Sequence, residues 1–67
     1  MKIRCEILRV TKKGDFDFEY SLLAPDGKRY FVSVEGKLHE LILKREGILV
    51  GRRVEYNTDG DIIRFLD

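Results

Sequence analysis

Residues 16 to 35, FDFEYSLLAPDGKRYFVSVE, hold two strictly alternating runs on either side of a turn, and this segment narrows the possible folds more than any other. Within APDGK, Pro25 and Asp26 suit the centre of a type I turn and Gly27 the left-handed position of a bulge, which sets Ala24 opposite Lys28. Counting outward pairs Leu22 with Tyr30, Tyr20 with Val32 and Phe18 with Val34 on one face. Ser21 with Phe31, Glu19 with Ser33 and Asp17 with Glu35 fall on the other. Turning Phe16, Phe18 and Tyr20 toward water would bury Asp15, Asp17 and Glu19 without partners, at a cost on the order of several kcal/mol each. The expectation is an aromatic row in the core and a carboxylate row in solvent.

The flanking segments extend this hairpin into a sheet. In KIRCEILRV the apolar positions Ile3, Cys5 and Ile7 are followed, one residue out of phase, by Leu8 and Val10, so a strand that keeps both halves buried needs a bulge near Ile7 and Leu8. Leu38, Leu41, Ile42 and Arg45 recur at helical spacing, Glu40 and Lys44 form an i,i+4 pair, and Gly47 can end the helix, which predicts a short helix from about Lys37 to Glu46. The segment RRVEYNTDGDIIRFL reads as a second hairpin around a type I′ turn at Asp59-Gly60. It pairs Thr58 with Asp61, Tyr56 with Ile63, Glu55 with Arg64 and Val54 with Phe65. Three strands, a helix and two strands make a mainly β domain over residues 1–67. The expected fold is a five-stranded OB-fold-like barrel with one short helix between strands 3 and 4, and an SH3-like barrel is the competing topology.

Composition limits the function classes. A 67-residue domain buries only about 60% of its unfolded surface, which argues against a deep catalytic cavity. The net charge of +1 means that attraction to a polyanion must come from local clusters of Lys and Arg. One cysteine, Cys5, excludes an internal disulfide and fits a reducing, cytoplasmic setting; its alternating apolar neighbours point to the core. No apolar run approaches a membrane span. His39 and Cys5 are each the sole residue of their type on different elements, so no metal site is expected, and His39, off the apolar helical stripe, is expected on the surface. Without a nucleophile and base pair, a phosphate loop or a cofactor motif, the chain reads as non-enzymatic and cofactor-free.

The second half resembles two OB-fold families. DGKRYFVSVEGKL, residues 26 to 38, and ILVGRRVEY, residues 48 to 56, resemble bacterial translation initiation factor one and its relatives, in a hairpin glycine, an alternating strand, a Gly-Lys pair opening the helix, and a glycine before strand 4. YFVSV is similar to the second ribonucleoprotein motif of the cold-shock domains, with Phe31 in the stacking position. The resemblance implies a small barrel that binds RNA or single-stranded DNA.

The residues then suggest two kinds of partner. Phe31 is the aromatic that the register leaves outside. Lys12 and Lys13 in the first loop, Lys28 and Arg29 at the second turn, Lys37 at the helix start, and Arg52 and Arg53 before strand 4 are candidates for phosphate contacts. A protein partner is the alternative, met through Asp15, Asp17 and Glu19 or through strand addition where such a barrel leaves a gap between strands 3 and 5.

Overall fold

The structure, a computed structural model describing residues 1–67, is a single five-stranded antiparallel sheet with one helix. Its elements are β1 (Lys2–Lys13), β2 (Asp17–Leu23), β3 (Arg29–Glu35), α1 (Gly36–Glu46), β4 (Arg53–Asn57) and β5 (Ile62–Phe65), in the spatial order β3-β2-β1-β4-β5. The sheet does not close, so β3 and β5 are both edges and the expected closed barrel is replaced by an open five-stranded sheet. Side chains bridge the interior where backbones do not: Tyr30 on β3 meets Tyr56 on β4 with ring centroids 5.6 Å apart.

The turn arithmetic holds on both hairpins. β2 and β3 pair from Asp17 with Glu35 through Leu23 with Arg29, and β4 and β5 pair Val54 with Phe65, Glu55 with Arg64 and Tyr56 with Ile63. Gly27 adopts φ 89°, the left-handed conformation that a side chain would strain. The phase slip in β1 is a bulge between Ile7 and Arg9. The second turn differs from expectation. A type I′ turn needs positive φ at both central residues, whereas only Asp61 (φ 53°) is left-handed here and the loop runs from Thr58 to Asp61. Side-chain bonds favour this shape, since Asn57 accepts the Asp59 N–H at 3.0 Å and Asp61 accepts the Tyr56 hydroxyl at 2.5 Å.

The core comprises Cys5, Ile7, Tyr20, Leu22, Ala24, Val32, Val34, Ile42, Leu49, Val54 and Tyr56. Phe18 packs against it, but Phe16 does not. β2 begins at Asp17, opposite Lys13, so Phe16 belongs to the loop and is 78% exposed. The loop's contribution is its backbone: the Phe16 carbonyl accepts the Gly36 N–H at 2.6 Å, and a Cβ on Gly36 would lie 2.9 Å from that oxygen. A glycine thus lets α1 start directly against the β1–β2 loop.

Helix α1 docks in a different phase from the one its leucines suggest. Leu38 and Leu41 are exposed, while Ile42 and His39 are buried. The expected surface histidine lies in the core because β2 gives it two partners. The Tyr20 hydroxyl meets His39 Nδ1 at 2.6 Å, and the Phe18 ring stacks on the imidazole with centroids 3.9 Å apart. Burial lowers the His39 pKa, against a smaller upward pull from Glu40, and burial pushes the Tyr20 phenol up to about 12. At neutral pH the bond therefore joins an uncharged phenol to an uncharged imidazole. Gly47 closes the helix, its N–H bonded to the Leu43 carbonyl at 2.9 Å.

This pair generates a pH dependence. A folded-state pKa below the ordinary 6.5 means that the unfolded chain takes up the proton first, so stability is full above pH 6.5 and falls as pH drops through the folded value. His39 is the only histidine, and His39→Gln is expected to flatten the dependence of urea midpoint on pH between about 7 and 5.5. Tyr20→Phe, which leaves the imidazole nitrogen unpaired, is expected to cost about 1–3 kcal/mol by urea denaturation at pH 7.

Candidate nucleic-acid interface

The β1–β2 and β2–β3 registers define the outer face of the sheet row by row. Tyr20 and Leu22 point into the core, so Ser21 between them points out, with Arg9 as its neighbour on β1 and Phe31 on β3. Ser21 is nevertheless only 3% exposed. Phe31 is 53% exposed. In the adjacent row, Arg29, Leu23, Glu6 and Arg53 follow one another across β3, β2, β1 and β4. Beyond it Arg4 faces Glu55, which pairs with Arg64 at 3.3 Å. The centre and one end of the outer face thus carry one aromatic ring and several arginines, with Glu6 and Glu55 among them. Arg4, Arg9 and Arg29 have no carboxylate within ion-pair distance.

The opposite end of this face is acidic. Asp17 pairs with Glu35 across β2 and β3, and Glu19, one row closer to Phe31, lies 3.7 Å from Lys13. The carboxylate row expected in solvent is there for Asp15 and Asp17, with Glu19 half-buried.

The basic residues expected at phosphates divide into three groups. Lys28, Arg29 and Arg53 are exposed at the end of the sheet near Arg4. Lys12 and Lys37 lie at the other end, around a hollow they share with Asp15, Phe16, Glu35 and Glu40, and Lys13 lies near them. Arg52 belongs with neither. Its guanidinium bonds Glu46 and Asp67 at 3.0 Å each, donates to the Glu46 carbonyl at 2.8 Å, and lies 5.2 Å from the centre of the Phe65 ring. Arg52 thereby ties the helix end to the chain after β5 and is occupied. Its hydrogen bonds hold the Asp67 carboxyl below the usual range.

Sequence reasoning missed Arg9 and Arg4. A signal for Arg9 was present: KKGDF, taken as a tight hairpin with Lys13 opposite Asp17, counts back to Arg9 opposite Ser21.

A cleft of about 590 Å³ opens beside this arginine end, between the β2–β3 turn at Leu23 to Pro25 and the β1–β4 ladder, with Arg4, Arg53 and Leu66 among its walls. Cys5 also lines it, 5% exposed. Burial, assisted by Asp26, pushes its thiol pKa up, so Cys5 is a protonated core residue at neutral pH and no ready nucleophile.

No family model, no curated protein and no solved structure matches the chain. The likeness to initiation factor one and to cold-shock domains therefore rests on the quoted residues alone. No helix is long and apolar enough to cross a membrane.

The separation of Arg52 from Arg53 has a direct consequence. Arg52→Ala is expected to lower the thermal midpoint clearly more than Arg53→Ala, whose side chain is 74% exposed and makes one long contact to Asp67 at 3.6 Å. Differential scanning fluorimetry of the two variants checks this.

Proposed function

We propose that this chain is a small, non-enzymatic OB-like module that binds single-stranded nucleic acid, RNA first, through the outer face of β1, β2 and β3. The observation that carries this reading is the half-exposed Phe31 in register with Arg9 across Ser21 and adjacent to Arg29. A base stacked on an aromatic ring contributes about 1–3 kcal/mol, and the arginines around Phe31 are free to meet the phosphates on either side. Lys28, Arg53 and Arg4 extend the footprint toward the cleft. Lys12, Lys13 and Lys37 stand among carboxylates at the far end and are outside it. The strand order fits an OB-like barrel left open between β3 and β5, and in such barrels the same strands form the oligonucleotide surface. The likeness to such barrels is one of strand order alone.

A second reading draws on the acidic end. Asp15, Asp17, Glu35 and Glu40 make no ion pair, and Phe16 projects among them, which suits a basic protein surface. It lies about 13 Å along the strands from the Phe31 row, so the two surfaces are separable by mutation.

Fluorescence anisotropy of labelled single-stranded RNA at several salt concentrations tests the first reading. Three or four phosphate contacts are expected to give a slope of log K against log salt of about −2 to −3. Phe31→Ala is expected to weaken binding about 5- to 150-fold while leaving the thermal midpoint almost unchanged. Absence of binding at low salt and high protein concentration would eliminate the nucleic-acid reading.

A further inference from the structure

The β3 edge carries a feature that the nucleic-acid reading does not use. β3 ends the sheet order, with a strand on one side only. The Ala24 N–H bonds the Lys28 carbonyl at 2.9 Å, and antiparallel alternation from that pair turns the backbone groups of Tyr30, Val32 and Val34 toward β2. Those of Arg29, Phe31 and Ser33, with the N–H of Glu35, then point away from the sheet, while the Glu35 carbonyl caps the start of α1. None of the backbone bonds outside helix and ladder engages Arg29, Phe31 or Ser33. The strand is seven residues long, pairs with β2 without a register shift, and contains no proline or lysine; its only charges, Arg29 and Glu35, stand at its two ends and are of opposite sign.

We propose that two copies of this chain associate edge to edge through β3, antiparallel, with Val32 opposite Val32 of the second copy. In this register Arg29 stands opposite Glu35 of the second copy, and Phe31 opposite Ser33. The Phe31–Ser33 pairs join residues whose backbone groups already point outward, as an antiparallel ladder requires, and each Arg29–Glu35 pair adds the bond from the Glu35 N–H to the Arg29 carbonyl. A one-residue slip would set outward groups against inward ones. A two-residue slip would keep the ladder but separate Arg29 from Glu35, so charge selects among the registers the backbone allows. Both residues are exposed and neither has an ion-pair partner within the chain. The other edge is less suited: β5 has four residues, and its Arg64 is already paired with Glu55. Association through β3 forms one continuous sheet and brings the two Phe31 side chains diagonally near each other on its outer face.

The two-fold symmetry makes the contact testable by mixing. Arg29→Glu alone sets two carboxylates opposite each other at both ends of the ladder, and Glu35→Arg alone sets two guanidinium groups there. A pair formed from one of each variant restores attraction at both ends. Sedimentation velocity across concentration, without nucleic acid, is expected to show a reversible dimer for the parent chain. Each variant alone is expected to self-associate at least about tenfold more weakly. An equimolar mixture should recover the parent behaviour. Circular dichroism on each variant checks that the fold is kept, and Ser33→Pro, which removes an outward N–H without touching the β2 ladder, should also be monomeric. A parent chain that stays monomeric up to millimolar concentration overturns the proposal. So does a mixture no more associated than its components, or dimers unaffected by any of the three changes. These readouts are independent of RNA binding, so either idea can fail alone.

Discussion

A strand that serves two half-sheets must present its apolar residues inward in both, and where they cross the chain has one residue too many for a single register. In β1 that residue is Leu8. Lys2 to Glu6 pair with β4, and Glu6 to Lys13 pair with β2, with the shift between Ile7 and Arg9. Ile7 sits at the crossing: its N–H and carbonyl bond Arg52 and Gly51 at 2.9 and 2.8 Å, while its register partner on the other side is Leu22. Its fully buried side chain contributes about 1.5–3 kcal/mol of burial. Much else depends on this slip. It keeps both Ile7 and Val10 on the inner side and turns Arg9 outward beside Ser21.

Two polar arrangements complete what the small apolar core begins. The Tyr20–His39 bond, closed over by the Phe18 ring, fixes the rotation of α1 on the sheet, and it does so at the expense of leaving Leu38 and Leu41 in solvent. Arg52 closes the other end of the helix against the chain after β5. No buried side-chain nitrogen or oxygen is left without a partner, as a fold with so thin a margin requires.

The legible and illegible parts of the fold divide along a physical line. Strand pairing could be read because the period is two and a turn fixes the count, so the APDGK register carries through to Asp17 and Glu35 and the bulge follows from one phase slip. The helix rotation could not be read from apolarity, because the residue that decides it is a histidine whose partners, Tyr20 and Phe18, lie about twenty residues away in the chain. Phe16 misled because alternation continues one residue beyond the last paired position. Arg52 and Arg53 are adjacent and identical in sequence, yet only contacts with Glu46 and Asp67 separate a structural arginine from an exposed one. Of the interface, Phe31, Lys28 and Arg29 could be read from the APDGK hairpin and Arg9 from the KKGDF hairpin, whereas Arg4 lies beyond the bulge and required the β1–β4 register.

The functional account depends on a polarised outer face, with Phe31 and the unpaired Arg4, Arg9 and Arg29 toward one end, interspersed with Glu6 and Glu55, and the unpaired Asp17 and Glu35 at the other. Backbone amide shifts recorded while ¹⁵N-labelled protein is titrated with a short single-stranded RNA test that polarity most directly. The account predicts perturbations centred on Phe31, Arg9, Ser21 and Arg29, fading toward Asp17 and Glu35. Shifts centred instead on Phe16, Lys12 and Lys37, or none at saturating RNA, would contradict it.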